Sequence, residues 1–337
     1  MPYLTQEQTS KRKSDHIDLA IKSQLKSADE RFMYEPMLSG HPKEQALPFQ
    51  FLGKTMKAPI WVSSMTGGAE RAGEINRNLA KACGRHGMGM GLGSCRIILD
   101  DDTFLNDFKL RKYLGDDVPF FANLGIAQVE KIVANSNYAV LHQLIDRTET
   151  DGLIIHVNPI QEWLQPEGDV ISISPIETIK SVLDHFDKPL IVKEVGQGMG
   201  INSLRALMKL PLAAIDFGAF GGTNFALLEL LRSSADYRKT NESLANLGHT
   251  AEEMVDFCNA LYNENGAYRS KEIIISGGIG NFLDGFYLMK KLKAKSIYGQ
   301  ASAFLIPAAK GEDELESFVL NQIRGLSLAE QYLKIKE

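Results

Sequence analysis

The heptapeptide HVNPIQE, His156 to Glu162, follows the apolar run GLII and gives nearly every position to a group that can hydrogen-bond, hold a metal or move a proton. Strand side chains alternate between faces, so His156 and Asn158 are expected on the same side. Gln161 and Glu162 then follow in a loop beyond Pro159. No second carboxylate or histidine stands at ligand spacing nearby, so Glu162 has no partners for an all-protein metal cage. One carboxylate completed by waters and substrate phosphates is nevertheless a usual arrangement for magnesium. A capped loop with a satisfied core histidine would draw on the same residues, so the rest of the chain must decide.

Three further stretches carry chemistry. Lys193 leaves the run LIVKE, where a buried amine either forms a Schiff base or hydrogen-bonds the electron-rich edge of a flavin ring. A salt bridge to Glu194 is awkward, because strand neighbours point to opposite faces. The loops SGGIG and GQAS leave backbone N–H groups unobstructed, and Gly277, Gly278, Ala301 and Ser302 are the candidates for holding a phosphate. Near the start, KRKSDH gathers Lys11, Arg12, Lys13 and His16, either as a solvated charge run or as a basic clamp for a diphosphate.

These residues need a scaffold that brings them together. Eight short apolar runs are present: APIWVSSMTGG, HGMGMGLGS, VPFFANLG, DGLIIHVN, KPLIVKEVG, LAAIDFGAFGG, KEIIISGG and AKSIYGQAS. Their hydrophobicity is continuous rather than alternating, as in parallel strands covered on both sides. Helix-sized segments separate most of them. One is expected from about Glu70 to Cys83, with Ala72, Ile75, Leu79, Ala82 and Cys83 on one face and Gly84 as terminator. FLDGFYLMKKL is another. The repeated β-α alternation predicts an α/β fold, a TIM (β/α)8 barrel with an N-terminal extension and a C-terminal closing helix beyond Gly311; a doubly wound open sheet is the alternative. Residues 1–337 are read as one domain, with 1–55 as the extension. The polar stretch RSSADYRKTNESLANLG is expected to be a mobile insertion before a second helix.

In such a barrel the catalytic groups sit at the C-terminal strand ends. Thr66, Ser94, Arg96, Asn123, His156, Asn158, Lys193, Glu194, Asp216 and Ser276 all fall there. MTGG, with Met65, Thr66 and Gly67, and FGAFGGT with Thr223 add glycine loops that favour a phosphorylated cofactor across the mouth. The 44% hydrophobic and 23% charged composition is that of a well-packed enzyme-sized chain. A net charge of −5 argues against a general nucleic-acid binder. Three cysteines without C-x-x-C spacing suggest neither a disulfide framework nor a zinc site. A polar N-terminus and the absence of a long apolar run give the expectation of a cytoplasmic protein with no membrane partner.

Together RKSDHI, MTGG, GSCR, HVNPIQE, KEVGQGMG, GGTNF and SGG resemble type 2 isopentenyl diphosphate isomerase, the flavin-dependent isomerase family of isoprenoid biosynthesis, over nearly the whole chain. The resemblance implies a barrel with FMN, Mg2+ and NADPH as flavin reductant, acting on a small-molecule diphosphate, and by analogy a homo-oligomer, tetramer or octamer. It implies Arg12, Lys13, His16, Arg96, His156, Asn158 and Gln161 as diphosphate binders and Glu162 as the metal ligand. Thr66, Ser94, Asn123, Lys193 and Thr223 would line the flavin. Gln161, His156 and Lys193 are the catalytic candidates. The chain departs from the family at Gly280 and Asn281, where an arginine is usual, and at Phe225, where tryptophan is frequent. An FMN barrel oxidising a 2-hydroxy acid is the runner-up, but FGAFGGTN lacks the histidine base and arginine pair it needs. A dehydrogenase with Cys95 as nucleophile and a flavin-binding barrel without turnover are the remaining alternatives.

Overall fold

The computed structural model describes residues 11–336 apart from 13–14, 17–18, 21, 44–46, 64–65, 69–70, 265–267, 269 and 271. All eight apolar runs become strands of one closed parallel barrel. They are β4 (Ile60–Val62), β5 (Gly89–Gly91), β6 (Phe120–Gly125), β7 (Gly152–Val157), β8 (Leu190–Glu194), β9 (Ala214–Asp216), β10 (Glu272–Ser276) and β11 (Lys295–Gln300). Each pairs with the next in sequence, and β11 closes onto β4. Ahead of them lie β1 (Phe32–Tyr34) and a hairpin of β2 (Phe49–Phe51) and β3 (Lys54–Met56). Helices follow most barrel strands, and the 21-residue helix Glu312–Tyr332 closes the chain as expected. Beyond it β12 (Leu333–Ile335) pairs antiparallel with β1, tying the two ends of the chain together.

The barrel interior is built in layers. Trp61, Phe121, Ile154, Ile191, Ala214, Ile274 and Ile297 form one apolar cluster, capped from below by Phe51 and Met56 of the hairpin. Gly89 has no side chain because the Trp61 indole fills that space, 2.4 Å from where a Cβ would stand. Advancing each strand by two residues returns to the same face about 7 Å nearer the C-terminal end. The residues met there are Ser63, Asn123, His156, Lys193, Asp216, Ser276 and Gly299. An apolar plug therefore lies beneath a polar ring, and that ring is the floor of the mouth.

Three local expectations are corrected. The first helix runs Ala72–His86, two residues later at its start and three at its end, and stops at Gly87, whose φ of 63° is left-handed. Gly84 lies inside it because a Cβ there would meet the Tyr113 carbonyl oxygen at 2.4 Å. The glycine serves close packing rather than termination. We therefore predict that Gly84→Ala destabilises the protein by roughly 1–3 kcal/mol through overpacking, although alanine is the better helix former; thermal unfolding reads the sign. The polar stretch RSSADYRKTNESLANLG, expected as a mobile insertion before a second helix, itself holds regular structure, and the second helix Ala251–Asn263 follows it. The stretch carries the helix Ala235–Asn241, capped by Ser234, and a 3-10 turn over Glu242–Asn246. Gln161 and Glu162 lie on the short helix Pro159–Leu164 instead of a loop, since proline at the first helical position loses no hydrogen bond. Among the described residues no helix is long and apolar enough to cross a membrane.

Candidate active site

The polar ring opens into two adjoining hollows. One is lined by Lys193, Thr223, Gly277, Gly278, Ala301 and Ser302, together with Ser63, Gln300 and Gly222. The other is lined by Ser94, Arg96, Asn123, His156, Asn158, Gln161, Glu162 and Lys193. Lys193, Val195 and Phe225 belong to both, so they form the boundary between the two.

Backbone geometry shapes the first hollow. Gly277 and Gly278 have φ of 88° and 71°, and a Cβ on Gly277 would lie 2.0 Å from the Ala219 carbonyl oxygen. The helix Ser302–Lys310 begins at Ala301 without a side-chain cap, which leaves its first N–H groups facing the hollow. Ser63 Oγ and Gln300 Oε1 are buried on the same walls without a hydrogen-bond partner among the described residues. Gly280 and Asn281, where an arginine was the family's habit, do a different job. Both backbone N–H groups donate to Asp284 at 3.1 Å, and the Asn281 side chain caps the helix Phe282–Lys291.

Titratable groups shape the second. His156 and Asp216 flank Lys193 in the strand register. Lys193 is 7% exposed and donates to the carbonyl oxygen of Glu194 at 3.1 Å. The Glu194 carboxylate faces the other way and accepts the N–H groups of Gly196, Gln197 and Gly198 at 2.6–2.8 Å, so the two do not pair. Asn123 donates to the Leu92 carbonyl oxygen, leaving its Oδ1 to accept from His156 Nδ1 at 2.9 Å. Burial and the Lys193 charge hold the His156 imidazole down to about 3. The ring is therefore neutral at pH 7 and presents Nε2 as an acceptor.

This sets a pH signature. The unfolded state binds a proton on this histidine near its ordinary value of about 6.5 while the folded state does not until about 3, so stability is lost as pH falls through that window. In the ligand-free protein we predict that the His156 ring resonances do not titrate between pH 5 and 8, measured by NMR against a His156→Gln control. An inflection in that range would contradict the assignment.

Glu162 is held from both sides: its Oε1 accepts from Asn158 Nδ2 at 3.0 Å, its Oε2 from the N–H of Asp169 at 2.8 Å. Asn158 Nδ2 also donates to Gln161 Oε1 at 3.0 Å, while Asn158 Oδ1 is buried without a partner among the described residues. Gln161 Nε2 donates to Glu229 at 3.2 Å.

Of the residues singled out from the sequence, Thr66 and Gly67 stand near the rim without lining either hollow; Gly93 lacks a Cβ because it would meet the Thr66 carbonyl oxygen at 2.2 Å. Arg12 and His16 are exposed and are not among the residues that line either hollow. Lys13 and Met65 lie outside the described residues. Cys95 is fully buried, and burial pushes its thiol up to about 12, which removes it as a nucleophile. Sequence reasoning missed Glu229, Gln128 and Asp169. Glu229 was hidden in an ordinary amphipathic helix, and Asp169 in a loop of no recognisable motif.

A closed β/α barrel whose mouth joins a glycine-lined hollow to one lined by Arg96, Lys193, amides and Glu162 has the architecture in which β/α-barrel enzymes build their active sites. Solved structures agree on the fold: a mandelate oxidase variant with an FMN adduct superposes at a TM-score of 0.56 with 14% identity, covering 91% of this chain and 88% of that one. A flavocytochrome b2 variant with bound sulfite gives 0.60 at 13% identity, covering 89% and 71%. No family model matches the chain. The isopentenyl-diphosphate delta-isomerase of Cronobacter sakazakii is 35% identical over 308 residues, 88% of this chain and 84% of the relative. Those of Rickettsia prowazekii and Deinococcus radiodurans are each 33% identical, over 93% and 88% of this chain and 89% and 83% of their own lengths. The chain belongs to the isopentenyl-diphosphate delta-isomerase family.

Proposed function

We propose that this enzyme interconverts isopentenyl diphosphate and dimethylallyl diphosphate using reduced FMN and Mg2+, with NADPH as the source of electrons for the flavin. The observation that carries the reading is the junction of the two hollows at Lys193 and Phe225, which sets a glycine-lined cradle beside a hollow lined by Arg96, amides and Glu162. The cradle fits FMN: a side chain on Gly277 would clash with backbone, and Ser63 Oγ and Gln300 Oε1 are buried without partners among the described residues. Among the described residues no cluster of three His, Cys, Asp or Glu could hold a metal, whereas Glu162 beside the unpartnered Asn158 Oδ1 fits an ion that takes one carboxylate and completes its shell with water and phosphate.

The reaction adds a proton to one carbon of an alkene and removes one from another, with carbocation character between and no net redox change. FMN, when bound and reduced, supplies an acid at N5 and an electron-rich face for that charge. The protein's groups do the rest. Gly277, Gly278, Ala301 and Ser302 hold the cofactor phosphate on backbone N–H groups. Lys193, which lines both hollows, would offer the cofactor its donors beyond the one given to Glu194. Arg96, Asn158 and Gln161 grip the diphosphate, joined by His156 once the ligand's charge draws a proton onto its Nε2, with Arg12, Lys13 and His16 of the N-terminal extension as further donors, and Glu162 holds the metal. Binding energy spent on this charged tail positions the reacting carbons. Gln161, steadied by Glu229, orients the alkene or assists proton removal.

The purified protein is expected to be yellow and, reduced under anaerobic conditions with Mg2+, to convert isopentenyl diphosphate to dimethylallyl diphosphate. Bound flavin without that conversion would leave a flavin-binding barrel and reject the isomerase reading. Oxidation of a 2-hydroxy acid would instead revive the runner-up.

A further inference from the structure

Asp169 does not line either hollow, yet it is tied to three groups that line one of them. Its Oδ2 accepts from Gln128 Nε2 at 2.7 Å and from Arg96 Nη1 at 3.1 Å. Its Oδ1 accepts from Lys131 Nζ at 2.6 Å, and its backbone N–H donates to Glu162 Oε2 at 2.8 Å. Its side chain is 13% exposed, whereas those of Arg96 and Lys131 are 60% and 62% exposed. The least exposed charged group on this contact is thus the anion, and the cations reach toward it from solvent. The Lys131 ammonium holds the Asp169 carboxyl below the ordinary carboxylate range, so the charge persists at any working pH.

The local chain is built for this contact. A Cβ on Gly168 would lie 1.9 Å from the Glu162 carbonyl oxygen, so the segment after the Pro159–Leu164 helix can fold back only with glycine there. That close approach delivers the next N–H to the Glu162 carboxylate. One residue then holds both the candidate metal ligand, through its main chain, and the candidate diphosphate cation, through its side chain.

We infer that Asp169 is a positioning residue: it aims Arg96 into the diphosphate hollow and fixes the Glu162 carboxylate for the metal. An exposed arginine loses much rotamer freedom when it grips an anion, which weakens binding. Tying one of its five N–H donors to Asp169 orders it beforehand and leaves the others for phosphate oxygens. Lys131 offsets the charge of Asp169, so Asp169 orders Arg96 without cancelling its charge. The opposite reading makes Asp169 a competitor that masks Arg96 from the ligand, and the two predict opposite signs.

The inference rests on the proposed isomerase reading, so the test reads binding as well as turnover. The FMN-loaded wild type, Asp169→Asn, Asp169→Glu and Gly168→Ala would be compared for kcat, KM and Mg2+ half-saturation, and for calorimetric affinity toward inorganic diphosphate with Mg2+. Asp169→Asn is expected to raise KM and weaken diphosphate affinity by about tenfold, with kcat within about twofold and Mg2+ half-saturation unchanged, because the N–H remains. Asp169→Glu should fall between, and it takes over the test if the asparagine variant does not fold. Gly168→Ala, which displaces the N–H, should raise the Mg2+ half-saturation instead. Unchanged or tighter diphosphate binding in Asp169→Asn would overturn the inference, as would equal losses in kcat, KM and melting temperature. A wild type that binds diphosphate but turns nothing over would refute the isomerase reading and leave the calorimetric result to judge Asp169.

Discussion

Glu162→Gln should raise the Mg2+ concentration needed for half-maximal turnover by at least about a hundredfold, a loss of about 2.7 kcal/mol in metal binding, while circular dichroism and flavin content stay those of the wild type. Glutamine keeps the shape, and its carbonyl oxygen can still accept one of the two hydrogen bonds from Asn158 Nδ2 and the Asp169 N–H. What disappears is the charge, and a hard dication bound through a single carboxylate has little else from the protein. Because the Pro159–Leu164 helix packs against Phe225–Arg232, its position does not depend on the metal. The loss should therefore be confined to the metal titration and to KM. If turnover keeps the wild-type Mg2+ dependence, the metal sits elsewhere and the diphosphate hollow has been misread.

What the sequence showed and what it hid follow one division. Continuous apolar runs betray buried parallel strands, so all eight barrel strands were legible, and with them the residues two positions past each core side chain. Lys193, His156 and Asp216 could be placed at one mouth because the side-chain period of a strand is fixed. Contacts set by packing between distant segments were not legible. Gly84 reads as a helix stop until Tyr113 is seen against it. Glu229 reads as one more charge in FALLELLR until the helix lays it against Gln161. Asp169 lies in a loop whose partners come from segments 41 and 73 residues upstream. The arginine absent at Gly280 and Asn281 was visible as a departure, but the capping role that these residues take instead was not.

Lys193→Met should lower kcat/KM by about two to three orders of magnitude, the usual cost of deleting one preorganised electrostatic group from a water-poor site. The same change should destabilise the fold, and the reason lies next to it in the register. Asp216 is wholly buried; its Oδ1 accepts the Ser276 hydroxyl, while Oδ2 has no hydrogen-bond partner among the described residues. Burial raises the Asp216 carboxyl above its ordinary value, and the Lys193 charge is the largest influence in the other direction. Removing the cation leaves a buried carboxylate less compensated, at a cost of about 1–3 kcal/mol. Two effects then need separating, and Asp216→Asn separates them. In the double variant Lys193→Met/Asp216→Asn no buried charge remains without its counterpart, so the melting temperature should return most of the way while turnover stays lost. The His156 imidazole should also rise from its suppressed value in both variants, since one of the two causes of the suppression has gone. If restoring stability also restored turnover, Lys193 would be a structural counterion and the catalytic role given to it would be wrong.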